Sequence, residues 1–305
     1  MRGSSAGHKA NTATRPSLQP DTSGKYDDWR IIPQRDGGAA IPYTTVGSLK
    51  MYYEAHGRGD PLVLIAGLGN DLNAWASQAP EFAKRYSVIA FDNRGSGLTD
   101  APDMPYSIRM MAEDTVGLMD ALSIEKAHVL GVSMGGYIAQ ELAIRYPSRV
   151  ASVILVTTSV GPYLLKISVL QAWARQALRD MSPMAFFQIM LPFMFNDGSF
   201  ESPGVLEMAV GTIAGHSSTP PHILARQMTA CVEHDARDRI GQITAPTLVL
   251  AGKEDPFVPF SLSEELAASI PYARLRVLDG GGHGFNASMA DKFNQAALEF
   301  LEQLP

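Results

Sequence analysis

The sequence has almost no cysteine: Cys231 is the only one among 305 residues. A single thiol excludes a disulfide within the chain and any metal site built from several cysteine ligands. We therefore expect a reduced, cytoplasmic setting for this protein.

Long apolar runs are also missing. No stretch reaches the roughly 20 consecutive apolar residues that a membrane-spanning helix needs, so we expect no association with a membrane. The first thirty residues are polar and lack the apolar segment of a signal peptide. We expect residues 1–30 to form a flexible N-terminal tail.

Positive charge is not concentrated anywhere in the chain. Lys plus Arg number 25 and Asp plus Glu number 31, which gives a formal net charge of −6. The absence of a basic run argues against a nucleic-acid surface. We expect a small-molecule partner and a monomer or homodimer.

Short apolar runs do occur, and they alternate with helical patterns. Continuous runs of this kind are typical of strands buried on both faces of a sheet. Helical spacing begins after Ser107, a candidate N-cap, and recurs over residues 134–146 and 287–303. The alternation predicts an α/β fold with a mainly parallel, doubly wound sheet. The predicted strands are LKMYYEAHG, PLVLIAG, YSVIAFD, KAHVLGV, ASVILVTT, APTLVLAG and ARLRVLD.

One segment breaks the alternation. Residues 161–239 contain many Met and Phe residues and no strand pattern. We predict a core formed by residues 31–160 and 240–305, with 161–239 inserted as a helical lid. The lid either packs on the core as an apolar insertion or also contacts an apolar ligand. Its cations are expected to be solvated, with contact to a substrate carboxylate as the alternative: Lys166, Arg175 and Arg179.

The stretch HVLGVSMGGY places Ser133 in the pattern G-x-S-x-G, between a predicted strand and a predicted helix. Such a turn strains the central residue, and side chains two positions before and after it would collide. This explains Gly131 and Gly135, while Gly136 lets the helix lie close to the strand. An incidental serine in a tight turn is the alternative, and the context favours a nucleophile.

A serine nucleophile needs a base, and the base needs an orienting acid. His283 lies in the glycine-rich loop DGGGHGF after the last predicted strand, where catalytic groups of α/β folds gather. Asp255 follows the strand in APTLVLAGKEDPFVP and comes between Ser133 and His283 in chain order. We predict His283 as the base and Asp255 as the acid. Glu254 is the alternative acid, although a solvated loop charge is its expected role.

Acyl transfer also needs N–H donors for the oxyanion. The first predicted donor is the backbone N–H of Met134, directly after Ser133. The second is the N–H of Leu68 in the loop AGLGND, where Gly67 and Gly69 give the backbone its freedom. Glycines that merely turn the chain are the alternative reading of this loop.

These motifs resemble the α/β-hydrolase superfamily over nearly the whole chain after residue 40. The resemblance rests on AGLGNDLNAW, FDNRGSGLTD, GVSMGG, APTLVLAGKEDPFVP and GGGHGF, in that order. The layout is most similar to 3-oxoadipate enol-lactonases and related small esterases, which implies no cofactor and a helical lid. Three positions depart from the common pattern: Ala66 replaces the usual histidine of the oxyanion loop, Asn93 stands where histidine is frequent, and Ser96 stands where histidine or tyrosine is common.

We therefore predict a serine carboxylesterase that acts on a small to medium ester with an apolar alkyl or acyl group. A monoalkyl phthalate or another carboxylate-bearing ester is one such substrate. The alternatives are a lactonase of the enol-lactonase type and a C–C bond hydrolase of meta-cleavage products. A non-catalytic binding module would require a broken triad, and Ser133, Asp255 and His283 are all present.

Overall fold

The computed structural model describes residues 42–162 and 219–304, together with Ala185, Leu191, Met194 and Phe195. Within these residues the frame is an eight-stranded sheet in the order β1-β2-β4-β3-β5-β6-β7-β8. The strands are β1 Tyr43–Val46, β2 Leu49–His56, β3 Pro61–Ile65, β4 Ser87–Phe91, β5 Ala127–Val132, β6 Val150–Val156, β7 Thr247–Gly252 and β8 Ala273–Leu278.

The sheet is mainly parallel, as predicted. Strands β3 to β8 pair in parallel, and only the pairings β1–β2 and β2–β4 are antiparallel. β3 lies between β4 and β5, so the strand order reverses there, which is where α/β sheets open a crevice. The seven strands predicted from the sequence are confirmed. The first strand, β1, was not predicted because its four residues are too few to show a period.

Helices connect the strands. Ser107 caps the longest helix of the described residues, since its Oγ accepts from the Met110 N–H at 3.2 Å, as its sequence position predicted. The C-terminal helical stretch begins later than predicted and is preceded by a separate short turn of helix. Over residues 42–162 and 219–304 the helices are α1 Ala79–Phe82, α2 Ile108–Ala121, α3 Met134–Arg145, α4 Pro221–Glu233, α5 Phe260–Ser269, α6 Phe285–Ser288 and α7 Ala290–Glu302.

The core lies on both faces of the sheet. Along β3, Val63 and Ile65 join the cluster under α2 and α3, whereas Leu62 and Leu64 join the cluster under α1 and α7. All four side chains are fully buried. A strand buried on both faces cannot alternate polar and apolar residues, which explains the continuous apolar runs of the sequence.

The insertion leaves and rejoins the core at one place. The Ala236 N–H donates to the Val160 carbonyl at 2.9 Å, and Arg237 donates to the Pro162 carbonyl at 3.1 Å. Within the predicted lid, α4 is helical as expected. The predicted helices over most of residues 163–218, the three lid cations and the N-terminal tail lie outside the described residues.

None of the helices in residues 42–162 and 219–304 has the length and apolar character needed to cross a bilayer.

Candidate active site

The predicted site residues follow different strands but meet at one edge of the sheet. Ser133 directly follows β5, Asp255 lies three residues after β7, and His283 lies in the loop after β8. Because these strands are parallel, their carboxyl ends share one edge. Residues separated by up to 150 positions in the chain therefore come into contact.

Ser133 has strained backbone angles. Its φ of 55° and ψ of −116° lie outside the regions that a serine normally adopts. The turn is held by its own hydrogen bonds, since the Ser133 N–H donates to the Val156 carbonyl at 2.9 Å and the Ser133 carbonyl accepts from the Gly136 N–H at 2.9 Å. Strain of this kind costs about 1–3 kcal/mol and persists only where the surroundings enforce it.

The neighbouring glycines are required by close approach of backbone to backbone. A Cβ on Gly131 would lie 2.1 Å from the Gly135 carbonyl oxygen. A Cβ on Gly135 would lie 2.0 Å from the carbonyl oxygen of Ile65 in β3. The collision expected between the two glycine positions is thus found at Gly131. Gly135 is further constrained by a strand that lies far away in the sequence.

His283 bridges Ser133 and Asp255. Its Nε2 lies 3.1 Å from Ser133 Oγ, and its Nδ1 lies 2.8 Å from Asp255 Oδ2. The other oxygen, Asp255 Oδ1, accepts from the N–H groups of Phe257 and Val258 at 2.8 and 2.9 Å. Because a carboxylate can only accept, we assign the imidazole proton to Nδ1, which leaves Nε2 to accept the Ser133 hydroxyl proton.

The structure separates the two candidate acids. The side chain of Asp255 is 1% exposed and contacts His283. Glu254 is exposed, and its backbone N–H donates to the Gly281 carbonyl at 2.9 Å. The geometry thus favours Asp255, and the catalytic roles of the three residues stay predictions.

The loop after β3 lies against Ser133. A Cβ on Gly67 would lie 3.4 Å from Ser133 Cβ and 3.3 Å from the Val132 carbonyl. Met134 is the first residue of α3, so its N–H has no acceptor within the helix and lies at the positive end of the helix dipole. The two predicted N–H donors, Leu68 and Met134, therefore come from two segments that meet at the serine.

Two aromatic residues near His283 were not predicted as part of the site. The Phe257 ring contacts the His283 ring edge-on, with 5.1 Å between centroids. Phe195, from the inserted segment, is buried against the loop of His283, and the neighbouring Met194 carbonyl accepts from the Gly284 N–H at 2.8 Å. Phe257 lies in the quoted stretch APTLVLAGKEDPFVP and Phe195 lies in no motif, but neither position indicates contact with the histidine loop, because only the tertiary fold brings them there.

The site residues form no cluster of metal ligands. Across residues 42–162 and 219–304, no group of three or more His, Cys, Asp or Glu side chains could hold a metal ion. What the arrangement offers chemically is a hydroxyl, an imidazole and a carboxylate in one hydrogen-bonded chain.

The fold is that of the α/β hydrolases, and comparison with known proteins agrees. A family model described as "alpha/beta hydrolase fold" matches residues 60–188. A second model, described as "TAP-like protein", matches residues 225–304. The chain belongs to the α/β-hydrolase superfamily and is a hydrolase.

Individual relatives show which kinds of α/β hydrolase this chain is similar to. The chain is 34% identical over 267 residues to "Putative carbamate hydrolase RutD" of Azorhizobium caulinodans, covering 87% of this chain and 99% of the relative. It is 31% identical over 269 residues to "3-oxoadipate enol-lactonase 2" of Acinetobacter baylyi, covering 85% and 96%. The crystal structure of the enol-lactonase from Burkholderia xenovorans LB400 superposes with a TM-score of 0.79 at 29% identity, covering 86% and 100%. The predicted resemblance to enol-lactonases is thereby confirmed.

Proposed function

We propose that this protein is a serine hydrolase that cleaves carboxylic esters through an acyl-enzyme intermediate. The observation that carries the proposal is the hydrogen-bonded chain from Ser133 Oγ through His283 to Asp255 at the carboxyl edge of the sheet. A serine hydroxyl is a weak nucleophile by itself and becomes a useful one when a neighbouring base takes its proton.

The reaction begins with attack of Ser133 Oγ on the ester carbonyl carbon, while His283 Nε2 takes the hydroxyl proton. Asp255 holds the imidazole in the reactive tautomer and stabilises the imidazolium. The tetrahedral intermediate collapses, and the leaving alcohol receives the proton from His283. Water then attacks the acyl-enzyme by the same route in reverse, which releases the acid and restores the serine.

The oxyanion of the tetrahedral intermediate is assigned to the N–H groups of Leu68 and Met134. Each preorganised donor of this kind is worth about 10²–10³ in rate. The support is local: Met134 opens α3 directly after the nucleophile, and the loop of Leu68 approaches Ser133 through Gly67. Both peptides are held before substrate arrives, which is what makes such donors effective.

The substrate is assigned as a small to medium ester with an apolar alkyl or acyl group. Support comes from Phe257 beside His283 and from Phe195 and Met194 against the same loop, because these side chains make the neighbourhood of the base apolar. A monoalkyl phthalate is one such ester that also bears a carboxylate. Lactones belong to the same class, since a lactone is a cyclic ester and relatives 29–31% identical are named enol-lactonases.

A carbamate is the second candidate substrate, favoured by the relative named for carbamate hydrolysis at 34% identity. A carbamate carbonyl can be attacked by the same serine to give a carbamoyl-enzyme. The nitrogen beside the carbonyl reduces its electrophilicity, so the same site would turn over a carbamate more slowly than an ester of equal size. Relative rates on matched substrates therefore separate the two candidates.

The test of the nucleophile is hydrolysis of p-nitrophenyl butyrate by the wild type and by Ser133→Ala. We expect the variant to lose at least about 10³-fold in kcat, because the acyl-enzyme cannot form. A fluorophosphonate probe should label the wild type at Ser133 and leave the variant unlabelled, as read by peptide mass spectrometry. The matched control is Ser148→Ala, since Ser148 is exposed in the turn Pro147–Arg149 beyond the far end of α3. Activity retained in Ser133→Ala would refute the proposal.

The test of the substrate class is a panel of p-nitrophenyl esters from acetate to octanoate, with lactones, monoalkyl phthalates and a carbamate of matched size. We expect kcat/KM to rise with chain length beyond acetate. A flat profile would contradict an apolar acyl or alkyl site. If a carbamate is hydrolysed faster than its matched ester, the carbamate becomes the assigned substrate class.

A further inference from the structure

The loop that carries Leu68 is held at successive peptide groups. The Ala66 carbonyl accepts from Asn93 Nδ2 at 3.1 Å, and the Gly67 carbonyl accepts from the Asn70 N–H at 3.2 Å. The Gly67 carbonyl and the Leu68 N–H belong to one planar peptide group, so the bond from Asn70 also orients the Leu68 N–H. These contacts hold the loop on the N-terminal side of Leu68.

The C-terminal side is held by a residue from the other end of the chain. Gln227, in α4, accepts from the Gly69 N–H through Oε1 at 2.9 Å, although the two residues are 158 positions apart. Its Nε2 donates to the Arg94 carbonyl at 2.9 Å and to Ser96 Oγ at 3.0 Å. One amide thus joins the loop after β3, the loop after β4 and helix α4.

The chemistry of this position is specific to glutamine. The side chain of Gln227 is fully buried, so each of its polar atoms needs a partner. It must accept at one end and donate twice at the other, which a carboxylate or an apolar side chain of the same length cannot do. Gly69 has a φ of 68°, a left-handed conformation suited to glycine. Because a glycine backbone is permissive, the bond from Gln227 is what holds this peptide in one orientation.

We propose that Gln227 is a positioning residue for the oxyanion hole. Its bond to the Gly69 N–H orients the peptide that follows Leu68. Together with the bonds from Asn70 and Asn93, this bond directs the Leu68 N–H toward the oxyanion above Ser133. The inference rests on the proposed serine-hydrolase function. An oxyanion donor is effective only at about 2.7–3.1 Å from the developing charge, so a small rotation of this peptide costs rate without costing substrate binding.

The test is Gln227→Met, which keeps the side-chain length and removes the acceptor and the donors. With p-nitrophenyl butyrate we expect kcat to fall about 10²-fold while KM changes less than about threefold, since the lost interaction belongs to the transition state. Affinity for an alkyl trifluoromethyl ketone should fall by a similar factor, because its adduct with Ser133 places an oxyanion in the hole. The thermal midpoint, read by circular dichroism, reports whether the fold is retained.

The matched control is Arg226→Met, the neighbouring residue on α4. Arg226 donates to the Pro102 carbonyl at 3.0 Å and pairs with Asp103, so its hydrogen bonds and ion pair go to the loop before α2 and not to the Leu68 loop. We expect kcat of this variant to equal that of the wild type. An equal loss of kcat in both variants would assign the effect to α4 as a whole and overturn the proposal.

A second variant keeps the proposal testable if Gln227→Met does not fold. Gln227→Glu has the same shape and, when protonated, can still accept from Gly69 and donate to Arg94. We expect the ratio of its kcat to that of the wild type to fall as pH rises and the new carboxyl ionises. A ratio independent of pH and close to one would overturn the proposal. If Ser133→Ala destroys activity while Gln227→Met keeps full kcat, only the role of Gln227 fails and the serine-hydrolase function stands.

Discussion

At the scale of single residues, the site is organised around the carboxylate of Asp255. Oδ1 is occupied by two backbone N–H groups from the next turn, and Oδ2 is left to His283. The turn therefore fixes the direction of the carboxylate before the histidine meets it. In the proposed mechanism, a preorganised acceptor of this kind holds the neutral imidazole in the tautomer with its proton on Nδ1.

This arrangement predicts that substitutions of two neighbouring acids, Asp255 and Glu254, will differ greatly in their effect on kcat. Asp255→Asn should lower kcat for p-nitrophenyl butyrate by about 10³–10⁴-fold, because an amide facing Nδ1 no longer holds the reactive tautomer. Glu254→Gln should leave kcat unchanged, since the Glu254 side chain is exposed. Steady-state measurement of kcat for both variants at one pH tests this prediction. The opposite pattern would move the acid to Glu254.

At the scale of elements, the site depends on how closely α3 approaches β3. The Gly135 position faces the carbonyls that end β3, and a Cβ there would lie 2.0 Å from the Ile65 oxygen and 2.9 Å from the Ala66 oxygen. Both obstacles are backbone atoms, so no side chain can move aside. The same approach brings the Leu68 loop to the first turn of α3.

Gly135→Ala should therefore destabilise the fold by about 3 kcal/mol or more, because α3 must shift away from the sheet. Gly241→Ala is the control, since the nearest atom to its added Cβ lies at 3.6 Å, an ordinary contact. We expect Gly241→Ala to change the unfolding free energy by less than about 1 kcal/mol. Urea unfolding followed by tryptophan fluorescence measures both, and equal stabilities would show that α3 can shift without cost.

At the scale of the whole molecule, a buried ionisable cluster lies where the insertion rejoins the core. His234 follows α4 and contacts the Tyr137 ring, with 4.8 Å between ring centroids. Burial is the largest influence on the imidazole and lowers the pKa of His234 to about 4. Glu141, 3.7 Å away, opposes this, but its charge is already paired with Arg145 and Arg239.

The lowered pKa makes global stability depend on pH. In the unfolded chain a histidine titrates near pH 6.5. Above that pH, His234 is neutral in both states and leaves stability unchanged. As pH falls from about 6.5 toward 4, the unfolded chain gains a proton that the folded protein does not, so stability is lost, by roughly 3 kcal/mol in all.

Replacement by His234→Phe keeps the ring against Tyr137 and removes the titration. We expect the unfolding free energy of the wild type to fall more steeply than that of the variant between pH 7 and pH 5, by about 2 kcal/mol. Urea unfolding at the two pH values gives the difference, and the carboxylates common to both proteins cancel. Parallel pH profiles would show that His234 is not protonated on unfolding in this range.

The sequence by itself determined the fold class and pointed to the candidate reacting groups Ser133, Asp255 and His283, whose catalytic roles stay predictions. Buried parallel strands must be continuously apolar, and the strand-to-helix turn of Ser133 requires glycines, so both leave local patterns that can be read along the chain. Asp255 and His283 were predicted because each lies in the loop after a strand pattern, and Asp255 comes between Ser133 and His283 in chain order. The sequence analysis preferred Asp255 to Glu254. The structure gives a geometric reason for that preference, because Asp255 is buried and contacts His283 whereas Glu254 is exposed.

Only the tertiary structure decided the supporting contacts. Gln227 touches the loop of Leu68 across 158 residues, Phe195 reaches the His283 loop from the insertion, and Gly135 is required by the carbonyl of Ile65. Gly135 lies in the G-x-S-x-G motif, but neither that motif nor any periodic pattern along the chain identifies these three distant contacts. The physical reason is that a local sequence pattern indicates only which face of a helix or strand is buried. The contacts that orient a peptide or require a glycine depend on which distant segments the packed sheet brings to the same edge.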